Sequence, residues 1–490
     1  MTLRLYNSLG RRPMEFQPLR PGQVRMYTCG PTVYAYSHLG NMRPYVFSDT
    51  LRRVFEWKGL EVVQVINITD VGHTVDESDL GEDKVEAAAR QERKSVEEVT
   101  RHYTGAFLAD IAALGVRPAA HYPRASAYVP QMIEFAKVLD DRGYTYRLDS
   151  GLYFDTSRSP GYGRLAGARQ AEPAAGQGGR IGEVPGKRSR ADFAVWRAER
   201  GGQRRLIHWD SPWGPGVPGW HLECSVMSID LLGDHFDIHT GGIDHRPIHH
   251  LNEIAQSEAY LEDGQDWVPL WMHNEWLVMG DQKISKSAGN TPLLRDLVED
   301  GYHPMVFRYF LLTAHYRQQL DLTDAGLRSA ATAYRRLLGR VVPLRPLPEV
   351  ATLAQLRSLV STAALPAVDR VDEAVSDDLN TAKALAELNL ILRDEQLPPA
   401  DRAAIVGGAD AVLGLRLGEV DPDEVFSGAE LAVSAGYVEE LVASRQAARE
   451  ARDWAEADRI RDQLSELGVR LTDTPSGTKW EPVATAEIEA

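Results

Sequence analysis

Short runs of apolar, β-branched residues separated by helical spacing dominate the first third of the chain. Val24 to Thr28 and Val62 to Ile68 each read as a buried strand followed by turn or helix signals. Such alternation predicts a parallel sheet covered by helices. Phe236 to His239 repeats the pattern and ends in Thr240, Gly241 and Gly242, so the same sheet is expected to resume after an insertion. Glycine and proline between about Ser157 and Gly202 mark that insertion. From about Asp324 to Leu417 the apolar positions fall at helical spacing among Ala, Leu, Arg and Glu, which predicts a helical bundle. Proline-rich and acidic segments bracket it, Pro343 to Pro348 and Gly418 to Glu424. Tyr437 to Leu467 then reads as one or two helices, and LGVRLTDTPSGTKW as a strand and a turn.

Length changes this picture only by requiring several cores, since 490 residues exceed what one compact domain holds. With 43% hydrophobic and 25% charged residues, the composition is that of an ordinary globular chain. No window approaches the ~18 uninterrupted apolar residues of a membrane span. The opening MTLRLYNSLGRRPMEF lacks the apolar core of a secretion signal, so a cytoplasmic location is expected. A net charge of −16 excludes a protein that coats nucleic acid by bulk electrostatics; any RNA contact must come from patches. Thr156 to Gly202, with nine Lys or Arg against four acidic residues, is one candidate, a solvated loop being the other reading. The two cysteines, Cys29 and Cys224, are expected to stay reduced in that compartment.

Three motifs carry candidate chemistry. TCGPTVYAYSHLGN, Thr28 to Asn41, lies between a strand and a helix, where free backbone N–H groups and the helix dipole can hold a phosphate; His38 and Asn41 add side-chain donors. GDQKISKSAGN, Gly280 to Asn290, sets Lys283 and Lys286 three apart on a loop, suited to charge developing on a leaving pyrophosphate. PGWHLECSVMS, Pro218 to Ser228, carries the second cysteine, and GGIDHRPIHHLNEIAQSE, Gly241 to Glu258, a His and a Glu four apart. Pro247 reads as a first-turn residue, which would put His249 and Glu253 on one helix face. Two thiolates, one imidazole and one carboxylate suit zinc. A lone HxxxE pair would be better read as solvent-facing.

HLGN near the start and KISKS some 240 residues later resemble the paired signatures of class I aminoacyl-tRNA synthetases, usually HIGH and KMSKS. Within that class the chain closely resembles the cysteinyl-tRNA synthetases, over nearly its whole length. The resemblance implies a zinc ion on Cys29, Cys224, His249 and Glu253, with His250 the competitor for the histidine position. It implies ATP contacts from Gly30, His38, Asn41, Gly241, Gly242, Asp244, Lys283 and Lys286, with His38, Asn41, Lys283 and Lys286 catalytic. It places Thr69, Trp220 and His239 around the substrate cysteine. Arg445, Arg449, Arg452 and Trp480 would meet tRNA. The first three arginines and Arg459 fall at helical spacing beside an apolar stripe of Ala457, Ile460, Leu464 and Leu467, which reads as one side of a packed helix. No separate editing site is implied.

The expected fold is α/β: a Rossmann-like parallel-sheet catalytic domain with an insertion, a helical bundle and a small anticodon-binding module. The boundaries expected are 1–140 and 206–325 for the two catalytic halves, 141–205 for the insertion, 326–420 for the bundle and 421–490 for the module. The expected function is activation of cysteine by MgATP and its transfer to tRNA(Cys), by a monomer that touches no membrane. The rival is a cysteine:amino-sugar ligase of the mycothiol type, which shares the zinc and nucleotide motifs but not the RNA-binding end. Asn41 replaces the final His of the class signature HIGH, a form accepted among its cysteine enzymes, and the chain departs from the family's usual sequence in two places: RPIHHLNE stands for FPHHENE, and HNEW, His273 to Trp276, for HNG followed by apolar residues.

Overall fold

The computed structural model describes residues 1–72, 83–166, 184–199, 205–280, 282–284, 291–426, 435–451, 453–466, 469–474 and 477–482. Its centre is a parallel sheet of Gln23–Thr28, Glu61–Ile66, Ile238–Gly242 and Leu270–Asn274. Val24, Met26, Val65, Ile66, Ile238 and Met272 are fully buried, as expected of strands covered on both faces. Residues 121–124 run parallel beside the Glu61–Ile66 strand through single bridges at Val65–His121 and Ile68–Arg124. Counting that segment, the chain builds the sheet outward to one edge, then returns to the other side of its first strand. The reversal lies between Gln23–Thr28 and Ile238–Gly242. A crevice opens at the carboxyl ends of strands on either side of such a switch, the usual ligand position in open α/β sheets.

The insertion forms a separate antiparallel sheet, in the order Thr145–Leu148, Gly151–Phe154, Phe193–Ala198, Gly216–Pro218. It therefore continues beyond residue 205, to Pro218, and hands the chain directly to the helix Trp220–Leu232. Much of the glycine-rich stretch, 167–183 and 200–204, lies outside the described residues.

The helices Asp324–Val341, Leu353–Leu359, Leu365–Ser376, Thr381–Arg393 and Pro399–Leu413 form the bundle. Its apolar interior is continuous with one face of the central sheet, running from Leu5 and Val54 through Phe307 to Leu388 and Val412. The C-terminal helices Ala435–Glu450 and Trp454–Glu466 and the hairpin Val469–Thr474/Gly477–Pro482 enclose a small core of their own, of Val438, Ile460, Leu464 and Val469.

Candidate functional site

Four donor side chains expected to share a metal converge at the carboxyl ends of the switch-point strands. Cys29 directly follows the strand Gln23–Thr28, and its N–H donates to Thr240 O at 3.1 Å, extending the ladder. Cys224 sits in the second turn of Trp220–Leu232, and His249 and Glu253 occupy the first two turns of His249–Leu261. That helix begins at His249, so Pro247 precedes it rather than opening it; the i, i+4 spacing still aims both side chains one way. Cys29, Cys224, His249 and Glu253 are all buried, with one donor atom from each within 4.8 Å of the others.

Cys29, His239, His250 and Glu253 meet the same criterion. Cys29 Sγ lies 3.2 Å from His250 Nε2, and the Glu253 oxygens lie 2.5 Å from His249 Nε2 and 2.7 Å from His239 Nε2. Among the described residues neither Glu253 oxygen has a partner in hydrogen-bond geometry, so a fully buried carboxylate is crowded by imidazoles without being satisfied by them. A soft cation among these donors would satisfy it, and the cluster is compatible with a metal. His239 thus lies within the donor cluster, its ring stacked on Trp271 with centroids 4.6 Å apart.

The four donors are shifted in different directions. Burial alone would raise Cys29, but a hydrogen bond from Cys224 and the nearby imidazoles of His245 and His239 hold it well below an ordinary thiol. Cys224 moves up instead, through burial and the adjacent Cys29 sulfur. Burial would depress His249, yet Glu253 and Cys29 push it up to about 10. Burial opposes ionisation of Glu253 as well, but His249 and His239 hold its carboxyl below the usual range. Outer partners fix the rings: His249 Nδ1 lies 2.9 Å from His221 Nδ1, and His250 Nδ1 lies 2.7 Å from His273 Nε2, whose Nδ1 lies 2.8 Å from Ser8 Oγ.

Beside the cluster, Trp220 opens its helix and stacks on His249 with ring centroids 4.2 Å apart. Thr69 donates to Glu223 Oε2 at 2.9 Å and accepts from Asn67 Nδ2 at 3.1 Å. Sequence reading missed Glu223, fully buried with Oε1 unpartnered among the described residues, and His245, whose ring lies 5.3 Å from both His249 and His250. Their only signal was position inside motifs already quoted.

The HLGN turn caps the helix that follows it. His38 is the N-cap of Leu39–Trp57: its Nδ1 accepts from Asn41 N at 3.3 Å while Asn41 Oδ1 accepts from His38 N at 3.2 Å. Leu39 N donates to Pro292 O at 2.9 Å. The amides expected to hold a phosphate are thus partly used by a capping box and by the chain after KISKS. Gly30 is fixed by packing, its N–H donating to Asn67 Oδ1 at 2.7 Å. Gly241 is crowded, a Cβ there falling 2.7 Å from His245 Nδ1, whereas among the described residues nothing lies within 4 Å of a Cβ at Gly242. Asp244 lies in the turn just beyond the strand and pairs with Lys283. Lys286 lies outside the described residues.

Comparison with known proteins gives these motifs a common origin. Residues 15–332 match the family model of the tRNA synthetases class I (C) catalytic domain, and residues 435–480 that of the cysteinyl-tRNA ligase anticodon binding domain. Cysteine–tRNA ligases of Novosphingobium aromaticivorans and Zymomonas mobilis are 48% and 42% identical, over 98% and 97% of this chain and 97% of each relative. That of Treponema denticola is 38% identical over 98% of this chain and 99% of its own. The chain belongs to the cysteinyl-tRNA synthetase family. The fold is also that of a methionyl-tRNA synthetase from Mycobacterium tuberculosis, solved with methionyl-adenylate: TM-score 0.52, 15% identity, covering 86% of this chain and 94% of that one.

The region matching the family's anticodon binding domain holds two helices, one of the two readings expected there. They are Ala435–Glu450 and Trp454–Glu466, so Arg459 and Arg445 stand on different helices rather than on one side of a single one. Arg445 is 8% exposed and donates to Thr478 Oγ1 at 3.3 Å, tying its helix to the hairpin rather than standing out toward solvent. Arg449 and Trp480 are half-buried, with the Arg328 guanidinium 5.7 Å above the Trp480 ring. Arg452 lies outside the described residues.

Proposed function

We propose that the chain activates L-cysteine with MgATP to cysteinyl-adenylate and transfers the cysteine to the terminal adenosine of tRNA(Cys), first to its 2′-hydroxyl. The observation that supports this most is the buried donor set of Cys29, Cys224, His249 and Glu253 at the sheet's switch point, in a chain of this family. Cysteine and serine differ by one heavy atom, and packing separates such pairs by only about 1–3 kcal/mol. Zinc bound there would supply a soft position that rewards sulfur over oxygen. Cys29 and Cys224 would hold it as thiolates, His249 as neutral imidazole and Glu253 as carboxylate, and Trp220, Thr69 and His239 would close around the substrate. A single metal per chain and a monomeric state complete the reading.

The protein's own part in the chemistry is positioning and charge stabilisation. The substrate carboxylate attacks the α-phosphorus while His38, Asn41, Lys283 and Lys286 meet the phosphates, Gly30, Gly241, Gly242 and Asp244 seat the nucleotide, and pyrophosphate leaves. The ribose hydroxyl of tRNA then displaces AMP. No covalent enzyme intermediate is needed. Arg445, Arg449, Arg452 and Trp480 remain the proposed RNA contacts, with Arg445 acting through the hairpin it braces. The anticodon domain match at 435–480 favours tRNA over an amino sugar as acceptor.

Cysteine-dependent ATP–pyrophosphate exchange, followed by transfer of labelled cysteine to total tRNA, tests the proposal. Both steps should occur, and chelation of the metal should abolish exchange. Exchange without charging would point to another acceptor, and no exchange with any amino acid would sink the reading.

A further inference from the structure

Two groups assigned to the nucleotide are engaged with each other. Lys283 ends the short strand Gln282–Lys283, which pairs antiparallel with Leu277–Met279 around a turn at Gly280. The next residue, Ile284, is buried, and a Cβ at Gly40 of the HLGN turn would lie 3.4 Å from its side chain, so this strand is seated against that turn. From there Lys283 reaches across to Asp244 Oδ2, and its ammonium lies 5.4 Å above the Trp276 ring. Trp276 closes the triangle, its indole N–H donating to Asp244 Oδ1. Both carboxylate oxygens of Asp244 are therefore occupied. Trp276 belongs to HNEW, where the chain departs from the family's usual sequence, and the proposed mechanism gives it no role.

We propose that Trp276 is a positioning residue that latches the KISKS strand in the nucleotide-free enzyme, holding Lys283 on Asp244 and away from the phosphates. This rests on the nucleotide roles proposed above for Lys283 and Asp244. The ion pair is more than two-fifths exposed on both sides, so it is weak enough for a triphosphate to break. ATP then exchanges one partner for two: its phosphates take the ammonium, and the released carboxylate faces the crevice beside Gly242. An incoming nucleotide must compete with the latch, so the latch raises KM for ATP and leaves the chemical step alone.

The test compares wild type with Trp276→Phe, which keeps the ring but loses the N–H, and Trp276→Ala, which loses both. In cysteine-dependent pyrophosphate exchange, KM for ATP should fall about two- to fivefold in Trp276→Ala, the scale of one exposed cation–π contact, and less in Trp276→Phe, with kcat little changed. Separately, labelling with an amine-reactive reagent and peptide mass spectrometry should find Lys283 more reactive in Trp276→Ala without nucleotide, other lysines serving as controls for folding. A raised KM would make Trp276 a nucleotide contact instead, and an unchanged KM with unchanged labelling would remove the latch. Absence of exchange in wild type would defeat the functional reading, while the labelling would still decide the latch.

Discussion

Gly30 has no room for a methyl group: a Cβ there would lie 1.5 Å from the carbonyl oxygen of Asn67. Gly30→Ala must push the Cys29 turn away from its neighbouring strand, and we expect a loss of about 3 kcal/mol or more in urea unfolding, the upper range for overpacking. The paired donor sets make a sharper prediction. If Cys29, Cys224, His249 and Glu253 hold the ion, His249→Gln should strip the purified protein of zinc measured by elemental analysis, while His250→Gln should keep it; the reverse would move the ion toward His239. At this scale the sequence was informative where chemistry is local. HxxxE aims two donors from one helix, and the two cysteines sit inside recognisable motifs. Glu223, His245 and the placement of His239 were not legible, because each is set by how a helix or turn lands against other strands. The burial of Arg445 was not legible for the same reason: its helical spacing could not show that the hairpin folds over it.

The helix Leu39–Trp57 does two jobs. Its first turn carries the capping box, and its middle carries Asp49, fully buried with Arg53 Nε at 2.7 Å and Arg308 Nη2 at 2.6 Å. Arg308 also donates to Leu413 O at 2.8 Å and Leu114 O at 3.0 Å, so one guanidinium satisfies the carbonyl ends of two helices. At the end of Val96–Ala113, desolvation pushes Asp110 up to about 6, only partly offset by Arg295. A folded-state value above the unfolded one means that Asp110 costs nothing below about pH 4 and opposes folding above about pH 6. Asp110→Asn should therefore stabilise the protein at pH 7, by about 1 kcal/mol once partial solvent exposure is discounted, and not at pH 4; thermal melts at the two values check it. Strand and helix content were legible as period and β-branching. The segment 121–124 was not, since two isolated bridges leave no run of apolar residues to see. Nor was the capping box, whose letters first suggested a phosphate cradle.

Over the whole molecule, composition separates a bundle from a sheet domain, but packing does not: one apolar interior spans both. The C-terminal module is the exception, with a separate small core. Removing residues 427–490 should leave cysteine-dependent pyrophosphate exchange within about twofold of wild type while abolishing charging of tRNA; loss of both would show that the module also supports the catalytic unit. Arg328 over Trp480 is the contact such a truncation breaks, and neither residue's motif hinted at it.

The donor cluster also dictates when in the protein's life the metal can be taken up. Cys29 and His250 are 221 positions apart, and between them the chain must complete two strands of the central sheet and the whole inserted sheet. A ribosome exposes the first thiol long before its imidazole and carboxylate partners exist, so zinc cannot template this fold in the way it templates a zinc finger. Zinc held on this cluster would be captured by a nascent architecture that is already nearly finished. Zinc should accordingly slow unfolding of the purified enzyme far more than it speeds refolding, which stopped-flow kinetics with and without the ion can read.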